Sequence, residues 1–296
     1  MKNLVYASLV FILMACDPSI KKDAAVIPQN LNSEHLQLGN PSNATINPLM
    51  PDNYLIIRNE YATSYNNSKG HANWTAWNLT SSWLGSVSRG DDFRADPDLP
   101  DQFVRVGSGD YSGSGFDRGH LCPSSDRTNT DQANSMTFLM TNMIPQAPAN
   151  NQGPWNTLES YTRSLLSGGT MECHIFAGAY GTGGWGSTPP PQGMQGQQIP
   201  NASITNSLRN GQINVPARTW KIIVLLPIGV NDENRIDANT RVIAVDMPNR
   251  YDINTNWRTP SYRKSVRDIE NATGLNFMSK VPQAIQDIIE TRVDNL

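Results

Sequence analysis

Hydrophobic positions fall into short blocks separated by polar, turn-rich stretches, and most blocks carry the length and composition of strands. Tyr54 to Ile57 and Tyr61 to Tyr65 are β-rich runs separated by Arg58-Asn59-Glu60, which predicts a hairpin, and Trp74 to Leu79 predicts a further strand. Ile175 to Ala177, Trp220 to Leu226 and Arg241 to Asp246 read as central strands, the second almost continuous in aliphatic residues. Phe138-Leu139-Met140-Thr141 predicts a short buried strand ending at Asn142. From Asn151 to Leu166 the apolar positions Trp155, Leu158, Tyr161, Leu165 and Leu166 recur at three and four, the spacing of an amphipathic helix, and Gly168-Gly169 stops it. Tyr262 to Thr273 and Pro282 to Val293 predict two terminal helices. The class is α+β with a mainly antiparallel sheet and flanking helices.

Two stretches lack such periodicity. Ser86 to Pro100 is polar and predicts a loop, and Tyr180 to Pro200, rich in Gly, Pro and Gln, predicts a flap or surface excursion. No internal repeat or second domain boundary is apparent.

The first residues belong to no core. Lys2 precedes an apolar run from Leu4 to Met14 that is short for a bilayer span, and it reads as an export signal. Ala15 before Cys16, with Leu13 three residues ahead of the cysteine, resembles a bacterial lipobox; a plain secretory peptide or an uncleaved anchor are the alternatives. The expected organisation is a signal over 1–15, a tether over 16–45 and one catalytic domain over 46–296. The expected location is outside the cytoplasm, held to a membrane through lipidated Cys16. Cys122 and Cys173 then remain; an oxidising compartment permits them to pair, and two buried free thiols are the alternative.

At 296 residues, 38% hydrophobic and 17% charged, the chain has the composition of an ordinary globular domain. A net charge of −3 argues against a broad basic surface that grips nucleic acid. It leaves room for an enzyme whose positive potential is confined to a cleft.

Phosphodiester hydrolysis needs a base for water, neutralisation of the non-bridging oxygens, and help for the leaving oxygen. In Phe116-Asp117-Arg118-Gly119-His120-Leu121, His120 is the natural base, and Arg118 two positions away shares its face on an extended segment. Downstream, Asn151 and Glu159 are eight residues apart on the predicted helix, two turns and roughly 80° around its axis. That separation rules out a tight chelate and suits Mg²⁺, with Asn151 as a direct ligand and Glu159 acting through an ordered water. Taken singly, Asn151 is an N-cap and Glu159 a solvated first-turn carboxylate. Asn142 either holds a catalytic loop, touches phosphate, or forms a turn before Pro145. With four histidines and no paired cysteine spacing, zinc is disfavoured.

Asp117-Arg118-Gly119-His120, Asn142, Asn151 through Trp155 and Leu158-Glu159 together resemble the DNA/RNA non-specific endonuclease family. The likeness runs from Asn40-Pro41-Ser42 through Tyr54, Trp74, Asp96-Pro97 and Ile269-Glu270 to Thr273-Gly274-Leu275. It implies a ββα-metal finger and cleavage of DNA and RNA without sequence specificity, with Mg²⁺ or Mn²⁺ as cofactor and 5′-phosphate products. It also implies that His120 is the general base, Asn151 the metal ligand, Glu159 the carboxylate holding metal-bound water, and Arg118 and Asn142 the phosphate and transition-state contacts. A family arginine precedes an aromatic residue and the Asp-Pro pair. Here Asp91 and Asp92 take the nearest positions, so Arg89 is favoured over Arg94 as a substrate-binding residue. Two other functions remain open: a non-catalytic surface lipoprotein that binds nucleic acid or protein, and a phosphodiesterase acting on a small substrate. Whether a second copy completes a homodimer is also open.

Overall fold

A computed structural model describes residues 33–166, 168–187 and 204–295. The expected export signal, Cys16 and the 188–200 part of the expected flap lie outside the described residues. None of the described helices is long and apolar enough to cross a membrane.

The frame is a seven-stranded antiparallel sheet. In chain order its strands are β1 (Tyr54–Ile57), β2 (Ala62–Asn66), β3 (His71–Leu79), β6 (Met171–Tyr180), β9 (Arg218–Pro227), β10 (Arg241–Pro248) and β11 (Arg263–Lys264), and this is also their spatial order. β4 (Asp117–His120) pairs with β5 (Met143–Gln146), and β7 (Ser207–Leu208) with β8 (Ile213–Asn214), as two small separate ribbons. The helices are α1 (Asp131–Met136), α2 (Pro148–Asn150), α3 (Asn156–Ser164), α4 (Asp232–Arg235), α5 (Val266–Thr273) and α6 (Gln283–Ile289).

The long aliphatic run of β9 is explained by cover on both faces of the sheet. Trp220, Ile222, Val224 and Leu226 join a cluster with Val266, Ile269 and Phe277 on one side. Ile223 joins a second cluster on the other side, with Trp77, Ile144, Trp155 and Leu158. The second side carries the β4–β5 ribbon and α3, so the candidate residues sit on a rigid floor of central strands. Cys122 and Cys173 lie in this same cluster as buried free thiols.

Several expectations need correction. The expected tether is folded over its last part: Leu36, Leu38 and Ala44 enter the first cluster, and the backbone N–H groups of Asn276 and Lys280 donate to Pro41 and Leu38 at 2.9 and 3.2 Å. Isolated apolar residues in a polar stretch show no periodicity, yet they fill the space beside α5. The apolar run Phe138 to Thr141 is buried but not a strand. Met140–Asn142 is a 3₁₀ turn, and the extended segment starts at Met143, one residue beyond the expected end. Burial alone does not distinguish a tight turn from a strand in so short a run.

The helix expected from Asn151 begins at Pro148. A π-type stretch over Asn151–Trp155, with Gly153 at φ −100°, ψ −113° and Pro154 inside, joins α2 to α3. The two terminal helices are shorter than their apolar patterns suggest, and α5 is capped by Ser265 and closed by Gly274 at φ +73°.

Candidate active site

β4 and β5 pair in antiparallel register, with Asp117 opposite Gln146, Arg118 opposite Pro145 and His120 opposite Met143. Two strands alone leave only edges, which is why Pro145 is tolerated. Gly119 is required by close approach: a Cβ there would lie 2.2 Å from the Gln146 side-chain oxygen. The ribbon and the helix beginning at Pro148 form a ββα unit, tied where Trp155 Nε1 donates to the His120 carbonyl at 3.3 Å.

His120 is buried, and its Nε2 has no hydrogen-bond partner. The imidazole sits against Phe138 edge-to-face at 4.9 Å and Phe93 at 5.5 Å. Burial, then the nearby Arg89 and Arg118 guanidiniums, depress its pKa to about 3. It is therefore the neutral, proton-accepting form throughout the neutral range.

His120 opens into a cleft of about 510 Å³ whose lining includes Arg89, Phe93, Asp117, Arg118, Asn151 and Glu159. Arg118 lies over the Phe93 ring with its guanidinium carbon 4.1 Å from the centroid. Arg89 has its guanidinium carbon over the Phe138 ring at 5.0 Å and pairs with Asp91 at 2.6 Å. Arg94 points elsewhere, bonded to Asp92 and to the Ser135 carbonyl at 2.6 and 3.0 Å, so Arg89 is the upstream arginine brought to the cleft.

Asn151 donates its amide nitrogen to Asp117 Oδ2 at 2.8 Å, and Gln152 donates to the same oxygen at 2.9 Å. With its nitrogen held, Asn151 has its side-chain oxygen left for a ligand. Eight residues along, Glu159 Oε1 accepts from Lys221 Nζ at 3.0 Å. Burial pushes the Glu159 carboxyl upward and the Lys221 ammonium pulls it back. Lys221 is itself buried, 4.2 Å from the Trp155 centroid and 5.4 Å from that of Trp77.

Asn142 is brought close to His120 but not into the cleft. It is fully buried; its Oδ1 accepts from the Cys122 N–H at 3.0 Å, and its amide donates to the Cys122 and Thr137 carbonyls at 2.8 and 2.9 Å. The expected substrate contact is thus corrected to a clasp on the chain that follows His120, because its donors and one acceptor position are spent on backbone.

Three participants were not singled out from sequence. Lys221 reads as one polar residue in an apolar strand. Asp117 reads from sequence as a residue that either bonds the turn or orients its neighbours, with Asn151 not among them. Phe93 was noted only as the aromatic residue before Asp96-Pro97. Their signal is spatial and has no sequence spacing of its own.

The family model for DNA/RNA non-specific endonucleases matches residues 38–284. The chain belongs to that family. A nuclease of Nostoc sp. is 47% identical over 294 residues, covering 99% of this chain and 98% of that protein. Nuclease C1 of Cunninghamella echinulata is 32% identical over 84% of this chain and 90% of its own length. Human mitochondrial endonuclease G is 28% identical over 77% of this chain and 70% of that protein. Among solved structures, the EndoG/EndoGI complex aligns with a TM-score of 0.63 at 21% identity, covering 84% of this chain and 91% of the other, which shows a shared fold.

Within this endonuclease-family fold, a second group of ligand-type side chains lies outside the cleft. Glu172, His174 and Asp232 bring three ligand atoms within 4.8 Å of one another. Arg235 bonds both carboxylates, His174 Nε2 lies 2.7 Å from Asp232 Oδ2, and Asn78 donates to Glu172 at 2.9 Å. One arginine thus offsets part of the negative charge of the two carboxylates.

Proposed function

We propose that the chain is a metal-dependent, sugar-non-specific endonuclease that hydrolyses DNA and RNA phosphodiesters to 5′-phosphate products. The observation that carries this reading is His120: a buried, neutral imidazole whose Nε2 has no hydrogen-bond partner, on the lining of a cleft that two arginines also line. A buried polar atom without a partner is a cost that a bound water or substrate would relieve.

The donor set fits a hard divalent cation such as Mg²⁺ or Mn²⁺. Asn151 would hold it through its side-chain oxygen, and Glu159 would act through its remaining oxygen and an intervening water, since few direct protein ligands suit Mg²⁺. When bound, the cation would supply charge neutralisation at the scissile phosphate and stabilise the leaving 3′-oxygen.

The protein groups do the rest. His120 accepts the proton of the attacking water. Arg118 offers its N–H donors to a non-bridging oxygen, and Arg89 is drawn to phosphate in competition with Asp91. Asp117 orients Asn151, Lys221 orients Glu159, and Asn142 keeps the turn after His120 in place. None of these groups reads a base edge, in keeping with action on any sequence and on either sugar.

Export and membrane attachment through Cys16 are part of the same proposal and rest on the sequence alone. Incubating the protein with plasmid DNA and total RNA in Mg²⁺, then assaying the new ends, tests the reaction. Ends that are ligated or dephosphorylated as 5′-phosphates support it, and 3′-phosphate ends contradict it.

A further inference from the structure

We propose that Phe93 is a positioning residue that presents Arg118 to a substrate phosphate, holding the guanidinium by its face so that its edge stays free. This deepens the nuclease reading of the cleft and rests on it.

The way Arg118 is held differs from the way its neighbour is held. Arg89 and Arg94 pair with Asp91 and Asp92 at 2.6 Å each, so part of their charge and some of their donors are already committed. Among the described residues Arg118 makes no such pair, and its guanidinium carbon stands 4.1 Å from the Phe93 ring centroid. A ring face attracts a guanidinium through its quadrupole without accepting the in-plane N–H groups. A carboxylate in the same place would consume those donors and cancel the charge. Contact with the Phe93 ring restricts the side chain without spending its N–H donors, which leaves the fork for phosphate, the anion that arginine binds best through two parallel bonds.

The ring is itself fixed. Phe93 meets Phe138 edge-to-face at 4.9 Å and lies 5.5 Å from His120; the Arg89 guanidinium stands farther off, at 5.9 Å, so the ring serves the base and, at closest range, Arg118. The adjacent backbone is bridged to the segment under His120, with Arg94 N–H donating to the Phe138 carbonyl at 3.3 Å and Met140 N–H to the Arg94 carbonyl at 2.9 Å. Further along the loop, Asp96 accepts from Arg58 Nη2 through both carboxylate oxygens at 2.7 Å and from the Thr141 hydroxyl at 2.6 Å. The Ser86–Pro100 loop is thereby pinned at the place where Phe93 enters the cleft.

The test replaces Phe93 with mono-, di- and trifluorophenylalanine, which drain the ring face of negative charge while barely changing its shape. Affinity for a short DNA strand is measured in EDTA by fluorescence anisotropy, alongside melting temperature, and the series is repeated in an Arg118→Met background. Cleavage of the same strand in Mg²⁺ is followed in parallel. The expected result is a stepwise loss of affinity reaching about two- to thirty-fold across the series. Melting should stay constant, and the trend should vanish without Arg118. A flat series, a trend that persists in Arg118→Met, or no binding by the unmodified protein would overturn the proposal. Affinity that falls along the series without cleavage in Mg²⁺ supports the presentation of Arg118 while rejecting the nuclease reading.

Discussion

Lys221 Nζ lies 3.0 Å from Glu159 Oε1, and both side chains are withdrawn from solvent, at 1% and 11% exposure. A charged group in the floor of the sheet is thus neutralised by one on the helix above it, and the aromatic faces of Trp155 and Trp77 line the ammonium. Breaking one side of such a pair leaves an uncompensated charge. Lys221→Met is expected to cost about 3–5 kcal/mol in chemical denaturation, with Lys221→Met/Glu159→Gln recovering most of it. Equal losses in the single and double variants would show that the two groups are not coupled.

Asn142 satisfies three backbone groups at once in a site without solvent. Asn142→Ala therefore strands the Cys122 N–H and two carbonyls, and a loss of about 3 kcal/mol or more is expected. Turnover should fall as well, since the turn leaving His120 loses its clasp. A variant with wild-type stability and turnover would mean that the clasp is dispensable.

Arg89 faces the cleft and Arg94 does not, although either satisfies the sequence pattern. Arg89→Ala is expected to lower kcat/KM for DNA by about tenfold or more, as loss of one transition-state contact does. Arg94→Ala gives up an exposed pair with Asp92 and should stay within about 1 kcal/mol of wild-type stability, with kcat/KM little changed. The reverse order of effects on kcat/KM would reassign the upstream arginine.

Buried titratable groups shape the pH dependence of stability from both sides. Burial depresses His35 to about 3, His71 to about 4 and His120 to about 3, from an ordinary 6.5. Between those values the unfolded chain takes up protons that the native state excludes, so stability is lost as pH falls below 6.5. Glu290 behaves oppositely: burial, and next the Glu270 carboxylate, raise it to about 8 from an ordinary 4.5. Over that interval the native state keeps a proton that the unfolded chain releases, and stability declines as pH rises. Denaturation midpoints are expected to peak at roughly pH 6.8, where proton uptake by the three unfolded histidines balances the proton that native Glu290 keeps. Glu290→Gln should flatten the alkaline decline and steepen the loss on the acid side between about pH 4.5 and 6.5, where Glu290 otherwise opposes the histidines; an undiminished alkaline decline would remove Glu290 from the account.

Much of the frame was legible because its strands declare themselves. β9 is covered on both faces and is therefore almost uniformly apolar, and Arg58-Asn59-Glu60 separates β1 from β2 in the expected hairpin. The helix carrying Glu159 was legible from Trp155 onward, while its first turns, with Gly153 and Pro154, obey no simple period. Arg118, His120, Asn151 and Glu159, which line one cleft, are legible as a group because they cluster in sequence and in family pattern. Lys221 was not, since its partner is 62 residues away and only sheet packing places it under α3. Leu36 and Leu38 were read as tether for the same reason: the surface they cover is built by α5, more than two hundred residues later.

The central claim is that His120 is the base of a metal-dependent nuclease. The most direct measurement is cleavage of supercoiled plasmid and total RNA by the wild type and by His120→Ala, in Mg²⁺ and in EDTA, with melting temperature and DNA binding in EDTA recorded for both. The account predicts loss of both polymers by the wild type in Mg²⁺ only. It also predicts at least about a hundredfold slower cleavage by the variant, with folding and binding retained. Undiminished cleavage by His120→Ala, or no metal-dependent cleavage by the wild type, would contradict it.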